Sequence, residues 1–76
     1  MVDVYGKELS SITQYGAYGP DGSKVYDIIG TTVYDVSGGM AYQVMGSQIM
    51  DNKGKQVYEL RGNSIYDTSG VHLVTF

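Results

Sequence analysis

The apolar residues of this chain are gathered into short runs that are separated by glycine. The runs include VYDII, TVYDV, VYEL and SIYDT, and tyrosine and β-branched residues dominate them. Runs of this length and composition are typical of β-strands, whereas an amphipathic helix would spread its apolar residues over a longer segment. The pattern predicts an all-β chain that is nearly free of helix.

These runs recur with a period of 16 residues. One row of glycines and one row of apolar residues keep this period along the whole chain, and three shorter rows share it. The long rows are Gly6, Gly22, Gly38, Gly54 and Gly70, and Ile12, Ile28, Val44, Leu60 and Phe76; the short rows are Gly30, Gly46 and Gly62, Tyr26, Tyr42 and Tyr58, and Asp35, Asp51 and Asp67. Each period holds two strand-like runs, so the repeating unit is predicted to be one β-hairpin.

Two kinds of turn are predicted to connect the strands. The glycines of the short row are each followed by Thr, Ser or Asn, which suits a two-residue turn of type II′ or I′, because these turns need a positive φ. The other turn has the form Asp-x-x-Gly, in which the aspartate accepts backbone hydrogen bonds. A cation held by Asp35, Asp51 and Asp67 is the alternative. The turn is favoured because it explains both the aspartate and the glycine without a ligand.

The two ends of the chain resemble complementary halves of one unit. MVDVYG matches the second half of a unit, as in VYDVSG, and VHLVTF matches the first half. We therefore expect residues 1–76 to form a single domain, a shallow pseudo-symmetric closed barrel or ring of about five short hairpins whose N- and C-terminal strands pair. Closure would remove the exposed edges of the sheet and supplement a small core. Phe76 is then expected to be buried.

The first unit, KELSSITQYGAYGPDG, departs most from the repeat. Gln14 stands where the other units have glycine, and the only proline, Pro20, precedes the turn. This hairpin is predicted to be wider, bulged or partly unpaired. Because repeat proteins commonly place function where the repeat is broken, the predicted partner-binding residues are Lys7, Glu8, Gln14 and Tyr15.

Composition and charge narrow the classes of function. The chain has no cysteine, one histidine and a formal net charge of -3. Without cysteine there is no disulfide framework or thiolate metal site, and a reducing, cytoplasmic setting is expected. The negative charge has the wrong sign for binding to a nucleic-acid backbone. No export signal, membrane insertion, cofactor or metal is expected either.

No enzyme is predicted, because the residues for catalysis are sparse. His72 is the only imidazole, and it replaces lysine, methionine and glutamine of the other units, so we interpret it as a surface residue. The serines fall mostly in predicted turns. No arrangement of nucleophile, base and orienting group can be assigned.

A small-ligand site is the alternative to a partner surface. Arg61 stands where other units have isoleucine or methionine, and a lone arginine can bind a phosphate or carboxylate with two hydrogen bonds. A solvent-facing strand end is the simpler explanation of that arginine. Tyr26, Tyr42 and Tyr58 are predicted to form a ring that either stacks on a base or aromatic ligand or adds bulk to the core. These four residues are the candidate ligand-binding set.

The units also resemble a known family. VYELRGNSIYDTSG and the terminal GVHLVTF are similar to the small bacterial and phage-associated β-flower proteins, whose short hairpins radiate around a pseudo-symmetry axis and whose shape is like that of the tubby C-terminal domain. The resemblance implies a binding or interaction module and no catalytic residues. The described relatives are four-fold, whereas the glycine count here indicates five hairpins.

Three functions are therefore compatible with the chain. The first is a non-enzymatic interaction or inhibitor module, with a phage protein that acts on a host protein as the example. The second is a binder of a small anionic or aromatic molecule such as a nucleotide. The third is a structural homo-oligomer, which would be favoured if Met40, Met45 and Met50 formed an exposed apolar patch.

Overall fold

The computed structural model describes all 76 residues and contains β-strands and turns but no helix. The strands are β1 Ser11–Thr13, β2 Gly16–Tyr18, β3 Lys24–Ile29, β4 Thr32–Asp35, β5 Met40–Met45, β6 Gln48–Asp51, β7 Gln56–Arg61, β8 Ser64–Asp67 and β9 His72–Thr75. The prediction of an all-β chain is confirmed. Accordingly, no helix is available that could cross a bilayer.

The nine strands form one antiparallel sheet in the order of the chain, curled into a nearly closed barrel. Each strand pairs with its sequence neighbours, and the register shifts along the sheet. The interior row that begins at Ile28 continues through Val33 and Tyr42 and ends at Asp51. After every two strands, the row has been displaced by two residues along the strand direction. A stagger of this kind tilts the strands and curls a sheet into a barrel.

The glycine turns make up one end of the barrel, the glycine-turn end. Gly30, Gly46 and Gly62 have φ of 63°, 63° and 59°, and no residue other than glycine has a positive φ. A positive φ at only the first central residue defines a type II′ turn and excludes type I′.

The first hairpin differs from its prediction. Thr13 pairs with Gly16, so its connection also has two residues, Gln14 and Tyr15. The Thr13 hydroxyl accepts the Tyr15 N–H at 3.1 Å, and no residue of this connection has the positive φ of the glycine turns. The hairpin is therefore no wider than the others, but it pairs over three residues instead of four, which agrees with the partly unpaired alternative of the prediction.

The aspartate turns make up the opposite end, the aspartate-turn end. In the turn after β4, Asp35 Oδ1 accepts the N–H groups of Ser37 at 3.0 Å and Gly39 at 2.9 Å, while the Gly38 N–H donates to the Asp35 carbonyl. The same pattern recurs at Asp51 and Asp67. The turn interpretation of these aspartates is confirmed.

The core lies inside the barrel. Because side chains alternate between the two faces of a strand, every second residue of each strand points inward. The buried apolar residues are Leu9, Ala17, Tyr26, Val33, Ala41, Tyr42, Ile49, Tyr58 and Ile65. Tyrosine supplies three of these nine, so much of the core is aromatic.

The predicted pairing of the two ends is wrong. No backbone hydrogen bond joins residues 1–4 to β9, and Phe76 is 39% exposed rather than buried. The N-terminal residues instead pair with the segment that follows them, through Val2 opposite Glu8 and a bond from the Leu9 N–H to the Met1 carbonyl. The next residues cross the end of the barrel, where the Val4 N–H donates to the Tyr58 hydroxyl at 3.0 Å. These contacts hold the N-terminal segment away from β9.

A candidate ligand-binding cavity

A cavity of about 260 Å³ lies inside the barrel. Its walls are apolar and come from the inward rows of the strands, including Ile28, Val44 and Leu60. Gln14 and Phe76 line it at the glycine-turn end, and Met1 and Asp3 line it toward the opposite end.

Three tyrosines and one carboxylate form the floor of the cavity, toward the aspartate-turn end. Tyr26, Tyr42 and Tyr58 stand at equivalent positions of β3, β5 and β7, and each pairs with the aspartate that begins a turn. Their ring centroids are 5.7 Å and 5.8 Å apart along the series, in tilted or edge-to-face contact. Edge-to-face packing favours such aromatic pairs beyond their buried area.

Asp3 is the one buried charged side chain, and it also lines the cavity. Its Oδ1 accepts the N–H groups of Tyr5 at 3.0 Å and Lys7 at 2.9 Å, as in the other aspartate turns. Its Oδ2 accepts the hydroxyls of Tyr26 and Tyr42. Four donors therefore stabilise a carboxylate that is only 6% exposed.

Burial raises the pKa of all three floor tyrosines above the ordinary value. For Tyr26 the hydrogen bond to the Asp3 carboxylate raises the pKa further. The Tyr26 and Tyr42 hydroxyls stay protonated at neutral pH, so they act as donors to Asp3, whereas the Tyr58 hydroxyl accepts the Val4 N–H.

The first turn closes the aspartate-turn end of the barrel. The Tyr5 ring packs against Tyr42 at 5.2 Å between centroids, and its hydroxyl donates to the Ala41 carbonyl at 2.7 Å. The same hydroxyl accepts the Asn52 N–H at 3.0 Å. The first turn therefore covers the aspartate-turn end of the barrel.

Sequence reasoning did not identify Asp3 and Tyr5 as functional. Asp3 lies in phase with the turn aspartates, two periods before Asp35. Tyr5 stands where the other turns have Asp21, Ser37, Lys53 or Ser69. An aromatic residue at a position that is polar in every other turn was the available signal.

The structure brings together only part of the predicted ligand set. Tyr26, Tyr42 and Tyr58 do share one floor. Arg61 lies outside the barrel, where its guanidinium contacts Glu59 at 2.9 Å and the Tyr66 ring at 5.1 Å. Arg61 therefore lies at a solvent-facing strand end, as the simpler explanation predicted. It is not placed to bind an anion beside the three tyrosines.

The predicted partner-binding residues lie at opposite ends of the barrel. Lys7 and Glu8 are at the aspartate-turn end, where the Lys7 ammonium lies 5.1 Å from the centroid of the Tyr26 ring. Gln14 and Tyr15 form a turn at the glycine-turn end. The four residues therefore do not make one surface. His72 is exposed and contacts the Thr75 hydroxyl at 2.7 Å.

The remaining chemistry of the molecule is limited. No group of three His, Cys, Asp or Glu side chains lies close enough together to hold a metal ion. Comparison with protein-family models, with curated proteins and with solved structures found no match to this chain. Inference about function therefore depends on the cavity and the surface.

Proposed function

We propose that this protein is a non-enzymatic binder of a small apolar molecule, which enters the barrel at the glycine-turn end. The observation that carries the proposal is the apolar cavity of about 260 Å³. An apolar cavity of about 150 Å³ in a protein core is sufficient for benzene. The cavity here is larger and suits a molecule with one or two rings or a short chain.

The proposal modifies the hypothesis of a nucleotide-like ligand. The three tyrosines keep their place at the site, since they form its floor. An anionic group on the ligand is no longer expected. Arg61 lies outside the barrel, and the charged side chain that lines the cavity is the Asp3 carboxylate.

A matched pair of variants tests the site. Ile28 lines the cavity, while its neighbour Ile29 is 67% exposed on the outer face. Naphthylmethanol is a suitable neutral probe, because the chain has no tryptophan and the naphthalene ring can be excited at wavelengths longer than those that tyrosine absorbs. We expect Ile28→Phe to fill the cavity and weaken binding at least about tenfold, and Ile29→Phe to bind as the wild type does.

Two results would count against the site. One is the absence of saturable binding by the wild type, and the other is an equal effect of the two variants. Circular dichroism and thermal melting of both variants show whether each remains folded.

A protein-interaction role is the second candidate, and exposed apolar residues at the glycine-turn end support it. Tyr15 is 67% exposed and Met45 is 59% exposed. If the chain is a phage-type inhibitor, the partner is a host protein. If the chain is a homo-oligomer subunit, the partner is a second copy of the chain. Light scattering tests the second copy, and co-purification compared between wild type and a Tyr15→Ser, Met45→Ser variant tests the host protein. A partner retained equally by both would exclude this end as the contact.

We also infer that the barrel is a pseudo-symmetric ring derived from a 16-residue unit, in keeping with the resemblance to the β-flower proteins. This inference is supported by the aspartate turns, because the same pattern of hydrogen bonds recurs at Asp3, Asp35, Asp51 and Asp67. Four glycine-end hairpins with two-residue connections and the last strand β9, which pairs only with β8, then account for about five units.

A further inference from the structure

Asp3 places a negative charge on the wall of an otherwise apolar cavity. It is 6% exposed, and none of the ion pairs in the molecule involves it. Its two oxygens accept four hydrogen bonds, two from backbone N–H groups and two from tyrosine hydroxyls. Because Asp3 is buried, its charge is screened less than a charge at the surface.

The other charges near the floor are arranged differently. The Lys7 ammonium lies over the Tyr26 ring and does not line the cavity. The Met1 ammonium contacts Glu8 at 3.1 Å, so its charge is compensated. Asp3 is therefore the only charged side chain that lines the cavity, and it has no ionic partner.

We propose that the ligand is an apolar amine that binds as its cation, with the ammonium group directed to the tyrosine floor and the Asp3 carboxylate. This inference rests on the proposed function and specifies its ligand class. The oxygens of Asp3 already accept four donors, so the ammonium donates to the hydroxyl oxygens of Tyr26 and Tyr42, which keep acceptor capacity after donating to Asp3. Tyrosine rings also attract cations directly.

A ligand series of one shape and three charges tests the proposal. Naphthylmethylamine is cationic at neutral pH, naphthylmethanol is its neutral counterpart, and naphthoate is the anion. We expect the amine to bind at least about tenfold more tightly than the alcohol, and naphthoate at least about tenfold more weakly. Titration by fluorescence or calorimetry at low ionic strength measures all three affinities.

Two aspartate variants test whether the charge of Asp3 causes the preference for the amine. Asp3→Asn removes the charge and keeps an oxygen for the two backbone N–H groups. Asp35→Asn is the control, because Asp35 has the same turn bonds but does not line the cavity. We expect the preference for the amine to disappear in Asp3→Asn and to persist in Asp35→Asn.

The outcomes separate this inference from the proposed function. If the alcohol binds at the site sensitive to Ile28→Phe and the amine binds no more tightly, the charge proposal is wrong and the apolar site stands. If none of the three probes binds, both proposals fail. If Asp3→Asn does not fold, the wild-type series alone decides, because equal affinity for all three charges contradicts the proposal.

Discussion

At the scale of single residues, one turn aspartate has acquired a second role. Asp35 serves only its own turn, through bonds to Ser37 and Gly39. Asp3 makes the equivalent turn bonds and also accepts two tyrosine hydroxyls from β3 and β5. A local turn residue thereby connects the first turn to the core of the barrel.

Because Asp3 has a second role, we expect its replacement by alanine to destabilise the fold more than the same change at Asp35. Asp3→Ala should lower the free energy of unfolding by about 2–4 kcal/mol, because two buried hydroxyls lose their acceptor together with the turn. Asp35→Ala should cause a smaller loss, since only exposed turn bonds are removed. Urea denaturation measures both, and similar losses would mean that the Asp3–tyrosine contacts contribute little.

The turn aspartates also make stability depend on pH. Hydrogen bonds from the Ser37 hydroxyl and the Gly39 N–H lower the pKa of Asp35, and hydrogen bonds from Ser69 and Val71 lower that of Asp67. The folded state then holds these protons less tightly than the unfolded state, so stability is fully present above the unfolded pKa of about 3.9 and decreases as pH falls through the lower folded pKa. A variant with Asp35→Asn and Asp67→Asn should show a shallower acid transition in melting temperature; an unchanged transition would contradict the assignment.

At the scale of elements, the turns set the register of the strands. Gly38 has a φ of 93°, and an added Cβ there would meet no atom within 4 Å. The requirement for glycine is therefore conformational and not steric. Gly39, next in the chain, has no positive φ, and the equivalent position of another turn holds Val71.

We expect Gly38 and Gly39 to differ in their tolerance of replacement by valine. Gly38→Val should lower the free energy of unfolding by more than about 1 kcal/mol, because a β-branched residue at positive φ is strained. Gly54→Val and Gly70→Val should behave alike, since their φ values are 81° and 92°. Gly39→Val should be nearly neutral. Equal effects at the adjacent positions, measured by urea denaturation, would refute the conformational explanation.

At the scale of the whole molecule, the barrel is held by contacts across its ends and remains open along one seam. Tyr5 bonds to Ala41, and Val4 bonds to Tyr58, so the first turn connects strands that are distant in sequence. The Phe76 N–H donates only to the Asn63 carbonyl, at 2.8 Å, and Phe76 also lines the cavity. The seam of the barrel is thus the place where the two ends of the sheet do not pair.

The open seam predicts that the C-terminal residue contributes little to stability. Phe76→Ala should lower the free energy of unfolding by less than about 1 kcal/mol, whereas Leu60→Ala, at the equivalent position of β7, should lower it by about 2 kcal/mol. Urea denaturation of both variants provides the measurement. A loss at Phe76 as large as that at Leu60 would indicate that the terminal aromatic is packed like a core residue.

The sequence by itself determined the strands and turns of this protein, and the tertiary structure decided where its ends, its charge and its cavity lie. The glycine and aspartate turns were predictable because they depend on the φ of one residue and on hydrogen bonds within four residues, as at Asp35. The tyrosine floor was predictable as a row, since period and alternation place its members together. The pairing of the ends was wrongly predicted, and the role of Asp3 was missed, because both depend on contacts such as Asp3 with Tyr26 and Val4 with Tyr58. Contacts between residues this far apart exist only after the sheet has curled, so no local pattern in the chain encodes them.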